Sequence, residues 1–377
     1  MITEIPEVYF VACHPAAGAH FADFYYELDK RGKVRCRMIA AEKAAEELAK
    51  RGIPVTRFYE EKKPLKVLSL EEQEELASTV AKICKKATCV ITDLGHNFSA
   101  LVQKKLSEES PSIIRIAYYD NPETYVPGEY SLTVARTMEY AQTILFANRN
   151  LAQAEIFSSP GIPVDLEGKT RAGLGYANFK EIEELKEKRS CRKNQKFAVY
   201  FGGANEVYYT KAFPRFLEIV TCASNLQDLS DWSIVIQQHP RSVLEGNRDG
   251  HLLEEWKKKA NERAPRISLS KFSFNDALTA TDLALYYQTG AAAKFMLLGI
   301  PAAQVGHEPY LDILVRNQFC PTVTDEKQFL EMLDNLQIPS LETQSKIALE
   351  SGIDPSWPEA LEIFIEELGI KSHLCQN

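Results

Sequence analysis

Residues 8–28 read VYFVACHPAAGAHFADFYYEL, and this stretch decides the fold. The apolar run Val8 to Ala12 predicts a buried strand, residues 13–20 predict a tight loop with a proline and a glycine, and a helix is expected from Phe21. His20 would then lie where a strand hands over to a helix, the usual position of ligand-binding residues in an α/β sheet. A neutral imidazole there suits a general base, although a histidine that caps the helix or bonds a backbone carbonyl fits the same spacing.

The alternation of strand and helix continues along the chain, which is the pattern of βαβ units and a mainly parallel sheet. The apolar runs expected to form strands are residues 8–12, 35–40, 88–92, 113–119, 143–147, 196–201, 232–237, 283–287 and 302–305. Between the two groups of strands, residues 180–193 are dense in Glu, Lys and Arg, which predicts a linker and a solvated helix.

This organisation predicts two Rossmann-like, doubly wound parallel-sheet domains. The expected divisions are an N-terminal domain of residues 1–175, a charged linker or helix of residues 176–195, a C-terminal domain of residues 196–354, and a helix within residues 355–377 that returns to the first domain. Two such domains would leave a cleft between the carboxyl ends of two sheets, and clefts of that kind are preferred ligand sites.

The bulk composition narrows the classes of function. The 377 residues carry a formal net charge of −8, which disfavours nonspecific binding to nucleic acid. The eight cysteines form no CxxC pair and have no histidine at zinc spacing, which predicts no metal site and favours a reduced, cytoplasmic setting. The N-terminus has no basic leader and no apolar run is long enough to span a bilayer, so membrane contact is expected to be peripheral at most.

Residues 15–32 resemble the first βα loop of GT-B glycosyltransferases, which carry a Gly-x-His or Gly-His step and a helix that ends near Arg-Gly. Here the step is Gly18-Ala19-His20 and the helix is expected to end at Arg31-Gly32. Those enzymes also have an aspartate at a Val-x-Asp strand end, and the strand from Val90 ends at Asp93 in a similar way. The resemblance implies that His20 removes the proton of an acceptor hydroxyl and that Asp93 orients its imidazole.

The residues alone leave other roles open in this half of the chain. Asp93 also suits the N-cap of the following helix, and His96 is a rival base. Asp120 and Glu123 follow the strand 113–119 and would face the acceptor side of the cleft with Gly18, although the Asn-Pro step between them is equally a turn signal.

The second half supplies candidate contacts for a nucleotide diphosphate. Gly202-Gly203 follows a strand and would let the backbone approach an anion closely, as it would also allow a plain tight turn. His239-Pro240-Arg241 resembles nucleotide-contacting motifs of bacterial sialyltransferases in the same superfamily, and a turn with a solvated arginine fits it as well.

Residues 282–301 resemble the GT-B element that binds the donor diphosphate: a strand, a small polar turn, a helix of small residues and a Gly-x-Pro step. The resemblance implies that Thr289 and Gly290 present N–H groups and a helix dipole to the phosphates, although an ordinary βαβ crossover has the same order. Lys294 stands where the small-molecule glycosyltransferases have a ribose-binding glutamate, so Glu308 is the alternative candidate for that contact.

The resulting hypothesis is an enzyme of GT-B type that moves a sugar from a nucleotide-sugar donor to an acceptor hydroxyl, with inversion and without a metal or other cofactor. The acceptor is not identified. Two alternatives share the scaffold: an isomerase similar to the sugar-nucleotide epimerases, which place several carboxylates around the sugar, and a non-catalytic protein that binds a nucleotide sugar.

Overall fold

The computed structural model of the protein describes residues 5–60, 63–94, 96–121, 128–153, 156–157, 164–166, 168–176, 179–188, 196–203, 206–239 and 247–374. The chain divides into two compact units. The first comprises Met1–Ala177 and Gly352–Asn377, and the second comprises Asn178–Ser351.

Strands of the first unit form a seven-stranded sheet and a separate antiparallel pair. They are β1 (Glu7–Ala12), β2 (Arg35–Ala41), β3 (Val55–Tyr59), β4 (Cys89–Thr92), β5 (Ile114–Tyr119), β6 (Thr143–Phe146), the pair β7 (Ile156–Phe157) and β8 (Val164–Asp165), and β9 (Thr170–Gly173). The order in the large sheet is β3-β2-β1-β4-β5-β6-β9, and all its neighbours are parallel. Because β2 and β4 flank β1, the order reverses between β1 and β4, which makes that gap the switch point where ligands bind in such sheets.

The second unit has a six-stranded parallel sheet. Its strands are β10 (Lys196–Phe201), β11 (Trp232–Gln237), β12 (Arg266–Leu269), β13 (Leu283–Tyr286), β14 (Ala302–Val305) and β15 (Thr322–Val323). The order is β12-β11-β10-β13-β14-β15, with the reversal between β10 and β13. The predicted fold class is confirmed, because both sheets are parallel and doubly wound.

Helices cover the faces of both sheets. In chain order they are α1 (Pro15–Arg31), α2 (Glu42–Lys50), α3 (Leu70–Ile83), α4 (Asn97–Glu109), α5 (Gly128–Tyr140), α6 (Phe179–Lys188), α7 (Phe213–Leu226), α8 (Arg248–Lys257), α9 (Phe274–Ala280), α10 (Ala292–Leu297), α11 (Ile313–Arg316), α12 (Glu326–Asp334), α13 (Leu341–Glu350) and α14 (Trp357–Leu374). A π-helical turn, Tyr208–Ala212, precedes α7, and 3-10 turns occur at Leu65–Val67, Cys84–Lys86 and Arg149–Gln153. Within the described ranges, no helix combines the length and apolar character needed to cross a membrane.

The loop predicted over residues 13–20 is wrong, because α1 begins at Pro15 and includes His20. The Nδ1 of His14 accepts a hydrogen bond from the backbone N–H of Ala16 at 3.3 Å, and the fixed φ of Pro15 suits the first helical position. Gly18 is buried: a Cβ there would lie 3.4 Å from the carbonyl oxygen of Ala44 in α2. Gly18 therefore lies in the contact between α1 and α2, and its predicted position on the acceptor side stays a prediction.

The last helix packs on α1 within the first unit. The ring centroids of Trp357 and Phe24 are 5.8 Å apart, and α14 contributes buried leucine, isoleucine and phenylalanine side chains to the core around β1. At the surface, the Lys33 ammonium lies 2.6 Å from Glu362 and 2.7 Å from Glu366. Apolar burial holds the helix in place, since exposed ion pairs of this kind contribute little to stability.

Gly352 connects the last segment to the first unit. Its carbonyl oxygen accepts a hydrogen bond from the Arg149 N–H at 3.1 Å, and its φ is +62°. A Cβ at this position would overlap the Asn148 amide oxygen and lie 2.7 Å from the Arg149 nitrogen. We expect Gly352→Ala to lower the free energy of unfolding by about 2–4 kcal/mol in urea denaturation, because left-handed strain and overpacking add.

Gly32 is the matched control. It ends α1 with a φ of +66°, but a Cβ there would have nothing within 4 Å. Gly32→Ala should therefore cost only the backbone strain, about 1 kcal/mol. Equal losses in the two alanine variants would contradict the packing argument for Gly352.

Candidate active site

Asp93 lies directly after β4, at the switch point of the first sheet. Its side chain is 1% exposed. Oδ2 accepts hydrogen bonds from the backbone N–H groups of Cys13 at 2.6 Å and His14 at 2.8 Å, and Oδ1 accepts one from the Ser99 hydroxyl. Asp93 thus joins the turn after β1 to the start of α4 and fixes the two turns that border the switch point.

Two histidines occupy equivalent positions beside Asp93. His14 caps α1, and His96 caps α4 with its Nδ1 accepting the Phe98 N–H at 3.1 Å. A neutral imidazole whose Nδ1 accepts a hydrogen bond carries its proton on Nε2, so each ring has an Nε2–H donor for another group. Because Ser, Thr, Asp and Asn are the usual caps, the two histidines add a donor that capping alone does not require.

Asp120 follows β5, the next strand of the sheet, and is partly buried. Burial raises the pKa of Asp120 and the nearby Asp93 carboxylate adds to the rise, while His14 opposes it. Burial lowers the pKa of His96, against the opposing effect of Asp93 and Glu42. Asp120 is therefore a stronger base than an exposed aspartate, and His96 is a neutral donor at neutral pH.

The hydrogen-bond partners shown for Asp93 are the three given above, and the partner shown for His20 lies on β5. His20 lies six residues beyond His14 in α1, and its Nδ1 is 2.8 Å from the hydroxyl oxygen of Tyr118, a fully buried residue of β5. The ring centroids of His20 and Tyr176 are 4.6 Å apart. Six residues of helix displace a side chain by about 9 Å along the axis, which takes His20 away from the switch point.

In the second unit, the turn Gly202-Gly203 after β10 lies against the buried ring of Tyr208. A Cβ on Gly202 would lie 2.8 Å from the Tyr208 hydroxyl oxygen, and one on Gly203 would lie 3.0 Å from its Cγ. The Tyr208 hydroxyl donates a hydrogen bond to Oδ1 of the buried Asp249 at 3.0 Å. Both glycines are thus required by packing, and the turn is held from beneath by a tyrosine that a buried carboxylate orients.

Arg248 begins α8 and reaches the same region. Its two terminal nitrogens donate to the carboxylate of Glu206 at 2.9 and 3.1 Å. The guanidinium carbon lies 4.3 Å from the ring centroid of Tyr209, which is itself buried. This arginine is therefore held in a defined plane beside the turn after β10.

The other described residues predicted to contact the nucleotide lie at the carboxyl edge of the second sheet, as Gly202-Gly203 does. His239 is exposed after β11. The Thr289 hydroxyl accepts the Ala291 N–H at 3.2 Å, and the space around Gly290 is open, with nothing within 4 Å of a built Cβ. The helix that follows, α10, has only six residues, so its dipole is smaller than that of a helix of several turns.

Glu308 is exposed after β14 and bonds its neighbour, with its Oε1 2.9 Å from Nε2 of His307. Two predicted site residues, Glu123 and Arg241, lie outside the described residues.

Sequence reasoning missed His14, Tyr208 and Arg248. His14 stands close after the first strand, which is a usable signal, but the proline and glycine that follow predict a loop there. Tyr208 and Arg248 have no local signal, because their importance depends on partners 41 and 42 residues away in the sequence.

In comparisons of sequence, no protein-family model and no curated protein matches the chain. Solved structures do share its fold. The UDP-GlcNAc 2-epimerase from Neisseria meningitidis, solved with UDP-GlcNAc bound, has a TM-score of 0.60 at 12% identity and covers 96% of this chain and 99% of its own. The UDP-GlcNAc 2-epimerase from Methanocaldococcus jannaschii has a TM-score of 0.63 at 12% identity, with coverages of 96% and 99%. The S. aureus MnaA–UDP structure has a TM-score of 0.65 at 10% identity and covers 94% of each chain.

These likenesses establish a GT-B-like fold over nearly the whole chain, and at 10–12% identity they establish the fold alone. They correct the predicted function. The expected sugar transfer to an acceptor hydroxyl is wrong as the leading interpretation, because many of the similar solved structures are UDP-GlcNAc 2-epimerases.

Proposed function

We infer that the protein is an isomerase that inverts one carbon of a nucleotide-linked sugar by acid–base chemistry. The observation that carries this proposal is the position of His96 and Asp120, which follow the adjacent parallel strands β4 and β5 at the carboxyl edge of the first sheet. Burial shifts their pKa values in opposite directions, so that one is a strengthened base and the other a neutral donor. The epimerase neighbours support the substrate class.

In the proposed reaction the Asp120 carboxylate accepts a proton from the sugar carbon that is inverted. The electron pair of the broken C–H bond forms a double bond to the anomeric carbon as the bond from that carbon to the diphosphate oxygen breaks, and the nucleoside diphosphate leaves with the electron pair of the broken C–O bond. The Nε2–H of His96 donates a hydrogen bond to the departing oxygen, on which negative charge develops. A proton then returns to the opposite face of the first carbon while the diphosphate re-forms its bond to the anomeric carbon, so the reaction involves no net oxidation.

Contacts to the nucleotide are assigned to the second unit. Gly202-Gly203, His239 and Thr289-Gly290 follow β10, β11 and β13, three adjacent parallel strands, and therefore share one sheet edge. Backbone N–H groups of glycine turns and an exposed imidazole suit the oxygens of a diphosphate. A nucleotide sugar is the proposed substrate, and no second substrate is required.

The test is incubation of the protein with UDP-GlcNAc in D2O, followed by proton NMR. We expect signals of the C2 epimer of UDP-GlcNAc to grow and the H2 signal of the sugar to decrease as deuterium enters from solvent. Inversion by proton transfer requires both changes.

Binding is measured in parallel by calorimetry with UDP. UDP binding with an unchanged NMR spectrum would contradict the isomerase and support the non-catalytic binding protein. The absence of both binding and turnover would contradict the nucleotide-sugar assignment itself.

A further inference from the structure

The ion pair between Arg248 and Glu206 has a geometry suited to exchange of its anionic partner. The two charge-assisted hydrogen bonds form the parallel fork that guanidinium makes equally well with a carboxylate or a phosphate. Glu206 is the more exposed partner of the pair, with a side chain that is 68% exposed. The Arg248 side chain is 41% exposed and lies over the buried ring of Tyr209.

The position of Arg248 links it to the turn after β10. The next residue, Asp249, accepts the hydrogen bond of Tyr208, whose ring fills the space beneath Gly202-Gly203. Tyr208 and Tyr209 are neighbours in the π-helical turn, a type of helix distortion that is frequent at functional sites. One buried aromatic pair therefore supports the glycine turn and the guanidinium together.

We propose that Arg248 binds a phosphate group of the nucleotide and that Glu206 occupies the guanidinium until the phosphate displaces it. This proposal rests on the proposed function, because it supplies the cation for the diphosphate. The phosphate takes the two hydrogen bonds that Glu206 gives up. The released carboxylate turns into solvent, and the change costs little because Glu206 is already largely exposed in the ion pair. Glu206 thereby lowers the affinity for anions and prevents Arg248 from holding weakly charged ligands.

The experiment titrates UDP, inorganic pyrophosphate and uridine into the wild-type protein, Glu206→Gln and Arg248→Met by calorimetry. Glu206→Gln removes the competing charge, and an exposed ion pair of this kind corresponds to an affinity gain of about two- to fivefold for UDP and pyrophosphate. Arg248→Met should weaken binding of both by about tenfold or more, because charge-assisted hydrogen bonds are lost. Uridine has no phosphate, so its affinity should be the same in all three proteins.

Glu218→Gln is the matched control, since Glu218 forms an exposed pair with Arg215 at 2.7 Å in the same unit. It should leave UDP affinity unchanged. Unchanged or weaker UDP binding in Glu206→Gln, or wild-type affinity in Arg248→Met, would overturn the proposal while the proposed function stands. Wild-type protein that binds neither UDP nor pyrophosphate overturns both, whereas UDP binding without epimer formation removes the isomerase and leaves the role of Arg248 intact.

Discussion

Replacement of Asp120 by asparagine is expected to reduce kcat for epimerisation of UDP-GlcNAc by about 10²–10⁴-fold, the usual contribution of a positioned general base. Asparagine has nearly the same shape but cannot accept a proton at neutral pH. The rate of epimer formation is measured by proton NMR for the variant and for wild-type protein under identical conditions.

Unfolding of the Asp120→Asn variant would not explain the expected reduction in kcat. A carboxyl whose pKa is raised in the folded state stabilises that state below its unfolded pKa, and the contribution is lost as the pH rises through the folded pKa. At neutral pH the ionised, partly buried Asp120 is therefore unfavourable for folding. Asp120→Asn should unfold at the same or a higher urea concentration than the wild type.

The pH profile adds a signature that a structural role would not give. Wild-type kcat/KM should fall on acidification as Asp120 is protonated, at a higher pH than for an exposed aspartate with its pKa of about 3.9. Asp29→Asn is the control, since Asp29 is exposed near the end of α1, and its profile should match the wild type. An Asp120→Asn enzyme with wild-type kcat would remove Asp120 from the mechanism.

The sequence predicts the interior strands of both sheets and misses their four edge strands, β3, β9, β12 and β15. The buried strands β1, β4 and β13 are continuous apolar runs, because helices cover both faces of a parallel sheet. Edge strands β3 and β12 each have one buried residue among exposed and partly exposed ones, so they lack that pattern. Strand burial, and not strand length alone, therefore decides which elements can be predicted.

The start of α1 shows why a local pattern misplaces a site. Proline and glycine usually indicate a loop, but here Pro15 fits the first helical position and Gly18 fits the contact with Ala44. Because α1 begins six residues earlier than predicted, His20 lies in the body of the helix and His14 lies at the switch point. A six-residue error in one helix boundary therefore changes which histidine lies at the switch point.

The hydrogen-bond partners of Asp93 lie far from it in the sequence, so local sequence patterns cannot predict them. The Asp93 carboxylate accepts hydrogen bonds from Cys13 and His14, 80 and 79 residues earlier, because parallel β1 and β4 are neighbours in the sheet. The strand end itself predicts that Asp93 is near a ligand site. Only the tertiary structure gives its partners, and they assign it to the support of the turns.

Asp93→Ala is accordingly expected to lower the free energy of unfolding by about 3–5 kcal/mol, the cost of removing one side of a buried, charge-assisted hydrogen-bond network. Two backbone N–H groups, of Cys13 and His14, and the Ser99 hydroxyl lose their acceptor together. Alanine cannot replace any of the three bonds. Urea denaturation of the variant and the wild type measures the difference.

Two milder variants separate support of the turns from a direct catalytic role of Asp93. Ser99→Ala removes only the hydroxyl donor, so it should cost about 1–2 kcal/mol and leave the turn after β1 bonded. Asp93→Asn keeps one carbonyl acceptor for the Cys13 and His14 N–H groups, so it should retain most of the epimerase rate in the fraction that is folded. A stable Asp93→Asn protein with a rate reduced as far as that of Asp120→Asn would instead place Asp93 in direct contact with the reacting sugar, because loss of the turns would then no longer account for its effect.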